Sequence, residues 1–282
     1  MKKSLPEVHG TVGIPHGTGF WRKMLAFGGP AFLVSVGYMD PGNWATDIEA
    51  GSRFGYSLLW VLLLSNAMAL LLQSLAARLG IASGRDLAQA CREFLPHPWG
   101  VLLYVPCQIA IVACDLAEVL GGAVGLNLLT GWPLLTCALV VSLNVFLMFL
   151  LQARGMRWLE AGIVSLVATI GGCYLIEIWM AQPDWGGVLR GLFTPKLSAA
   201  PVDGGSSALY VAIGIIGATV MPHNLYLHSA LVQTRVVTPT PEGKKEAIRF
   251  NFIDSAVALN GAFLVNASIL IVAAAEIGRA HV

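Results

Sequence analysis

Asp40-Pro41-Gly42-Asn43 and Met221-Pro222-His223-Asn224 each interrupt a long apolar segment where a helix is expected to run on. Both read X-Pro-X-Asn. Proline lacks a backbone donor and clashes with the preceding turn, and in hydrocarbon every freed carbonyl needs a partner. A broken helix therefore persists there only around a cavity or a ligand, and two breaks in one chain predict a binding site between them. The side chains on offer are a carboxylate, two amides, an imidazole and a thioether. That set suits a divalent transition metal better than a sugar or a lipid.

Around these breaks the chain reads as an integral membrane protein. Of its 282 residues 56% are hydrophobic and 12% charged, with a mean hydropathy of +0.71, where a soluble domain carries roughly 25% charged residues. Seven stretches are long and apolar enough to span a bilayer, at about 27–52, 56–79, 100–129, 133–152, 157–181, 207–234 and 251–276. They do not alternate in polarity, which excludes a β-barrel. With the N-terminus in the cytoplasm, thirteen Lys and Arg fall inside and four outside, as the positive-inside rule requires. Residues 1–26 hold no signal peptide and read as a cytoplasmic segment, so the first span directs insertion. The five cysteines form neither a disulfide framework nor a C-x-x-C metal motif and read as small apolar fillers.

Further polar residues refine the picture. On the third span Gln108, Asp115 and Glu118 fall at i, i+7 and i+10, in a sector less than a quarter-turn wide that Gly122 continues. Two carboxylates at mid-membrane are costly unless they face a wet interior, so they predict a proton or ion path; a structural pairing with an arginine elsewhere is the other reading. Asn66, Gln73 and Ser74 predict interhelical hydrogen bonds. Asp47 and Glu49, near the outer end of the second half-helix, read either as charges that draw cations to an external vestibule or simply as a solvated helix end, and Asp254 as solvated near the cytoplasmic side. Asn224 and His228 share a face at i, i+4, whereas His223 and His228 point about 140° apart and do not grip one metal. Residues 182–206 read as an extracytoplasmic loop. Ile277-Gly278-Arg279-Ala280-His281-Val282 matches the in-frame translation of a sequencing-adapter read-through, so residues 277–282 read as a non-native tail on a truncated chain.

Asp40-Pro41-Gly42-Asn43, Asp115-x-x-Glu118 and the run from Gly217 to Ser229 closely resemble the Nramp divalent metal transporters, over about residues 27–276. The resemblance implies an all-α, polytopic LeuT-like fold of ten or eleven helices in two inverted five-helix repeats, with helices 1 and 6 discontinuous. Residues 27–181 would form the first repeat and 207–276 the first two helices of the second, and a chain lacking the rest is expected to be inactive by itself. By matching position, Asp40, Asn43 and Met221 resemble the side-chain metal ligands, and the carbonyls of Gly37 and Ala218 the backbone ligands. His223, Asp115 and Glu118 resemble the proton pathway, with Asn224 and His228 behind them.

The function these features predict is proton-coupled import of Mn²⁺ or Fe²⁺ by alternating access across a bacterial inner membrane. The metal is cargo, no tightly bound cofactor is expected, and the partners are the metal, protons and the lipid bilayer, with no nucleic acid or protein partner. A thioether argues against a Mg²⁺ carrier of the same fold. No ring of charges or run of filter carbonyls supports a passive channel, and no paired nucleophile and base supports an intramembrane enzyme.

Overall fold

A computed structural model describes residues 4–14, 19–197 and 207–278, apart from the side chain of Gln152. The end of the expected loop at 198–206, and most of the tail read as non-native, lie outside the described residues. Helices form nearly all of the rest: α1 (Phe20–Phe27), α2 (Pro30–Ser35), α3 (Pro41–Phe54), α4 (Leu59–Ser83), α5 (Leu87–Phe94), α6 (His97–Thr130) and α7 (Leu134–Ser142). They continue as α8 (Asn144–Ala153), α9 (Met156–Ala181), α10 (Trp185–Phe193), α11 (Ala208–Val220), α12 (Pro222–Leu231) and α13 (Pro241–Glu276). Among the described residues six helical stretches are long and apolar enough to cross a membrane, one fewer than the seven expected because the first half-helix, Pro30–Met39, is short and α3 runs on into α4; this is a multi-pass membrane protein. An isolated parallel bridge joins Val12 to Arg235.

Local sequence sets the helix ends. Asp40 caps α3 by accepting from the Asn43 amide at 2.8 Å, and Pro41 fills the first helical position, where no backbone donor is needed. Asp86 and Gln89 cap α5 reciprocally, and Ser207 caps α11. At the far end of α6, Gly131 takes φ 72°, a conformation glycine adopts without strain. The first predicted span resolves into α2, a 3₁₀ turn over Val36–Met39, and α3. One prediction changes and one span lengthens. The loop expected over 182–206 contains α10, started by the Asp184 cap, and the helix of the last span, expected from about residue 251, begins at Pro241.

The chain forms two compact units, each assembled from separate stretches of sequence. One comprises residues 1–34, 73–163 and 222–254. In it Phe27 stacks on Phe250 at 5.3 Å, within a cluster that includes Ala77, Ile81 and Val232, and Gly80 lets α4 approach the Ser229 carbonyl so closely that a Cβ would collide with it. Long faces of α6 stay exposed and apolar, as at Leu102, Ile109, Leu116 and Leu128, which suits contact with acyl chains. The other unit comprises residues 35–72, 164–221 and 255–282. Its core gathers Leu58, Leu59, Leu62, Val211, Ile215 and Leu270. Here α3 runs against α11, where a Cβ on Gly214 would sit 3.1 Å from Thr46, and against α13, where Gly51 faces the Leu270 backbone.

Candidate metal site

Four of the five residues that the sequence singles out as metal ligands meet in the second unit. The Asn43 side chain is fully buried, and its Nδ2 lies 2.7 Å from Asp40 Oδ1, 2.9 Å from the Gly37 carbonyl and 3.0 Å from the Ala218 carbonyl. Three oxygens from both broken helices thus surround one nitrogen that carries two hydrogens. Their convergence follows from the breaks: the Gly37 carbonyl accepts only a long bond, 3.4 Å, from the Asp40 amide and keeps a lone pair for Asn43, and α11 ends just beyond Ala218. Met221, the fifth, is 4% exposed and ends α11 with φ 40° and ψ 86°, a left-handed conformation that a long side chain rarely adopts.

The opposite edge of the Asn43 amide is held as firmly. Its Oδ1 accepts from the Thr219 hydroxyl and from Asn266 Nδ2, each at 3.2 Å. This orientation turns the amide nitrogen, not its oxygen, toward Asp40 and the two carbonyls. Coordination through Oδ1 requires a half-turn of the amide, which Thr219 accommodates because a hydroxyl both donates and accepts, and Asn266 by a matching half-turn that presents its otherwise unpartnered Oδ1. Reading the sequence assigned no role to Thr219 or Asn266. The signal for Thr219 was its place beside Ala218 at the break; Asn266 offered none beyond being an amide in an apolar span.

In the first unit, His223 lines a cavity of about 690 Å³ together with Gln108, Tyr104, Tyr226, Cys91 and Cys107. Asp115 and Glu118 lie farther along α6, on its exposed side and outside that lining, so Gln108 is the member of the predicted stripe that shares the cavity with His223. His228 is fully buried, its Nδ1 3.0 Å from Gln73 Oε1, while Asn224 Nδ2 reaches the Val34 carbonyl at 3.5 Å. The interhelical bonds expected of Asn66 also form, from Tyr38 at 3.2 Å and to Asn260 at 3.0 Å.

Two expectations about charge are corrected. Asp254, read as solvated, is fully buried and accepts from the Gly29 and Ala31 amides at 3.3 and 3.0 Å, the orphan donors at the start of α2. Beside it, Glu160 is 4% exposed and pairs with Arg235 at 2.6 Å and Arg157 at 3.2 Å, and both arginines also donate to the Gly28 carbonyl. The entry to α2 at Gly28-Gly29-Pro30 is therefore clamped by two arginines and two carboxylates. A Cβ at Gly29 would lie 2.5 Å from the Glu160 carboxyl. Asp47, read as a solvated end charge, is likewise fully buried.

Paired broken helices whose backbone and side-chain oxygens converge within one unit define a multi-pass membrane protein of the discontinuous-helix class. Residues 31–282 match the model of the family described as Natural resistance-associated macrophage protein-like, or Nramp, and the chain belongs to that family. A divalent metal cation transporter MntH from Nostoc sp. is 55% identical over 97% of this chain and 61% of its own length. Another from Mesorhizobium japonicum is 52% identical over 96% of this chain and 59% of its own. Among solved structures, the Eremococcus coleocola manganese transporter in complex with an aromatic bis-isothiourea substituted compound aligns with a TM-score of 0.89 and 41% identity. It matches 98% of this chain and 57% of that one. The chain thus spans about three-fifths of the length of the curated relatives it matches.

Proposed function

We propose that this chain carries the substrate site of a secondary transporter that imports a divalent transition metal, Mn²⁺ or Fe²⁺, together with protons by alternating access. The observation that carries this reading is the gathering of Asp40 Oδ1 and the Gly37 and Ala218 carbonyls within 3.0 Å of Asn43 Nδ2. An N–H donor stands where a cation attracts the same oxygens. On arrival the metal takes its charge neutralisation from Asp40 and hard oxygen from the two carbonyls and the turned Asn43 amide. The Met221 sulfur favours transition metals over Mg²⁺ and Ca²⁺, which prefer oxygen alone. His223 is the first proton acceptor in this reading, and Asp115 and Glu118 continue the path along α6. The clamp at Gly28 and Gly29 supplies a two-state element at the base of α2, since its ion pairs must part for that half-helix to move.

Isothermal titration of the chain in lipid nanodiscs tests the site. Mn²⁺ binding is expected to weaken at least a hundredfold in Asp40→Ala, and Met221→Ala is expected to narrow the preference for Mn²⁺ over Ca²⁺ at least tenfold. Unchanged Mn²⁺ binding in Asp40→Ala overturns the reading.

A further inference from the structure

The face of α3 that bears Asp40 and Asn43 bears one more carboxylate, for which the reading above has no use. Asp47 lies seven residues beyond Asp40, about 10 Å along a helix that rises 1.5 Å per residue, and four residues beyond Asn43. Its spacing keeps all three on one stripe. Asp47 is 0% exposed, and neither carboxylate oxygen has a hydrogen-bond partner. Among the described residues no Lys or Arg forms an ion pair with it. One turn earlier the Trp44 indole N–H is also buried without an acceptor. The Trp44 ring meets Tyr174 edge-on, with centroids 5.7 Å apart.

Buried carboxylates are paired, hydrogen-bonded or bound to a cation, because solvation lost on burial has to be replaced. Here Asp47 makes no ion pair and no hydrogen bond, while the neighbouring Trp44 and Tyr174 rings offer π surfaces that attract cations. We propose that Asp47 is a second cation-binding carboxylate, a transit site for the divalent metal one helical turn beyond Asn43 on the same face of α3. The inference rests on the reading of Asp40 and Asn43 as the principal site. A cation at Asp40 repels another about 10 Å away through a medium of low dielectric, so the two positions fill in sequence and Asp47 is the weaker.

Mn²⁺ is paramagnetic and broadens fluorine resonances close to it, so the test is ¹⁹F spectroscopy of the chain labelled with 5-fluorotryptophan in nanodiscs. Trp44→Phe assigns the Trp44 resonance. In an Asp40→Ala background, which removes the principal site, Mn²⁺ is expected still to broaden Trp44. Adding Asp47→Asn is expected to raise the Mn²⁺ concentration needed at least tenfold. An unshifted Trp44 resonance without metal shows that α3 is intact; should Asp47→Asn displace it, Asp47→Glu is read instead and must keep the midpoint within threefold. Absence of broadening in the Asp40→Ala chain overturns the proposal, as does broadening that ignores Asp47→Asn, the result expected of a carboxyl that only carries a proton. Equal first-site binding in wild type and Asp40→Ala, with an Asp47-dependent second event, overturns the assignment of Asp40 and leaves that of Asp47 standing.

Discussion

Met221 holds φ 40° in a position without glycine's freedom, a strain of about 1–3 kcal/mol that the surrounding fold has to offset. Strain of this kind concentrates at binding sites, and here it falls on the one sulfur at the break. Met221→Gly relieves the backbone but empties a buried side-chain site, a loss of about 2–5 kcal/mol, so its melting temperature is expected to fall less than that of Met221→Ala, which keeps the strain, while Mn²⁺ affinity falls at least tenfold in both; titration and melting on the same samples separate the two effects. At His228 the forecast runs the other way. Gln73→Leu leaves a ring nitrogen buried and unpaired, which costs about 1–3 kcal/mol, read as a lower melting temperature with first-site Mn²⁺ affinity within threefold of wild type. Asp40 and Asn43 were legible from sequence because proline marks the break and a mid-span carboxylate has almost no bland explanation. Asp47 was read only as a charge near the helix end. Its burial follows from α9, α11 and α13 packing against α3, and no local pattern announces that.

At the level of helices, close crossings decide stability. A Cβ at Gly51 would strike the Leu270 carbonyl and come within 2.8 Å of the Ala273 Cβ, whereas one at Gly217 meets nothing within 4 Å. Gly51→Ala is accordingly expected to destabilise the protein by about 1–3 kcal/mol, since backbone cannot yield as a side chain does, and Gly217→Ala to change it little; parallel thermal melts compare them. The clamp on α2 gives a further forecast. Arg235→Leu leaves Glu160 buried with only the half-exposed Arg157. Loss of a buried partner costs about 3–5 kcal/mol, and the remaining arginine places the expected loss at the lower end. The apolar runs foretold these helices well. What they hid was connectivity across the fold: Glu160 lies 75 residues from Arg235 and Asp254 lies 223 from Ala31, separations over which spacing carries no information.

For the whole molecule, the two breaks place carbonyl and carboxylate oxygens from α11 and from the turn before α3 around Asn43, and family membership follows from the match over residues 31–282. Transport is tested in a chimaera that joins residues 1–276 to the remaining C-terminal portion of the Nostoc sp. relative. In liposomes it is expected to take up Mn²⁺ with internal acidification, and Asp40→Ala to abolish both signals; Mn²⁺ entry without acidification removes proton coupling from the account. The central claim, a transition-metal site of mixed oxygen and sulfur ligands at the two breaks, is tested most directly by X-ray absorption of the chain loaded with one equivalent of Cd²⁺. The account predicts a first shell of oxygens with one sulfur, and loss of that sulfur in Met221→Ala. An oxygen-only shell in wild type, or a sulfur that survives the substitution, contradicts it.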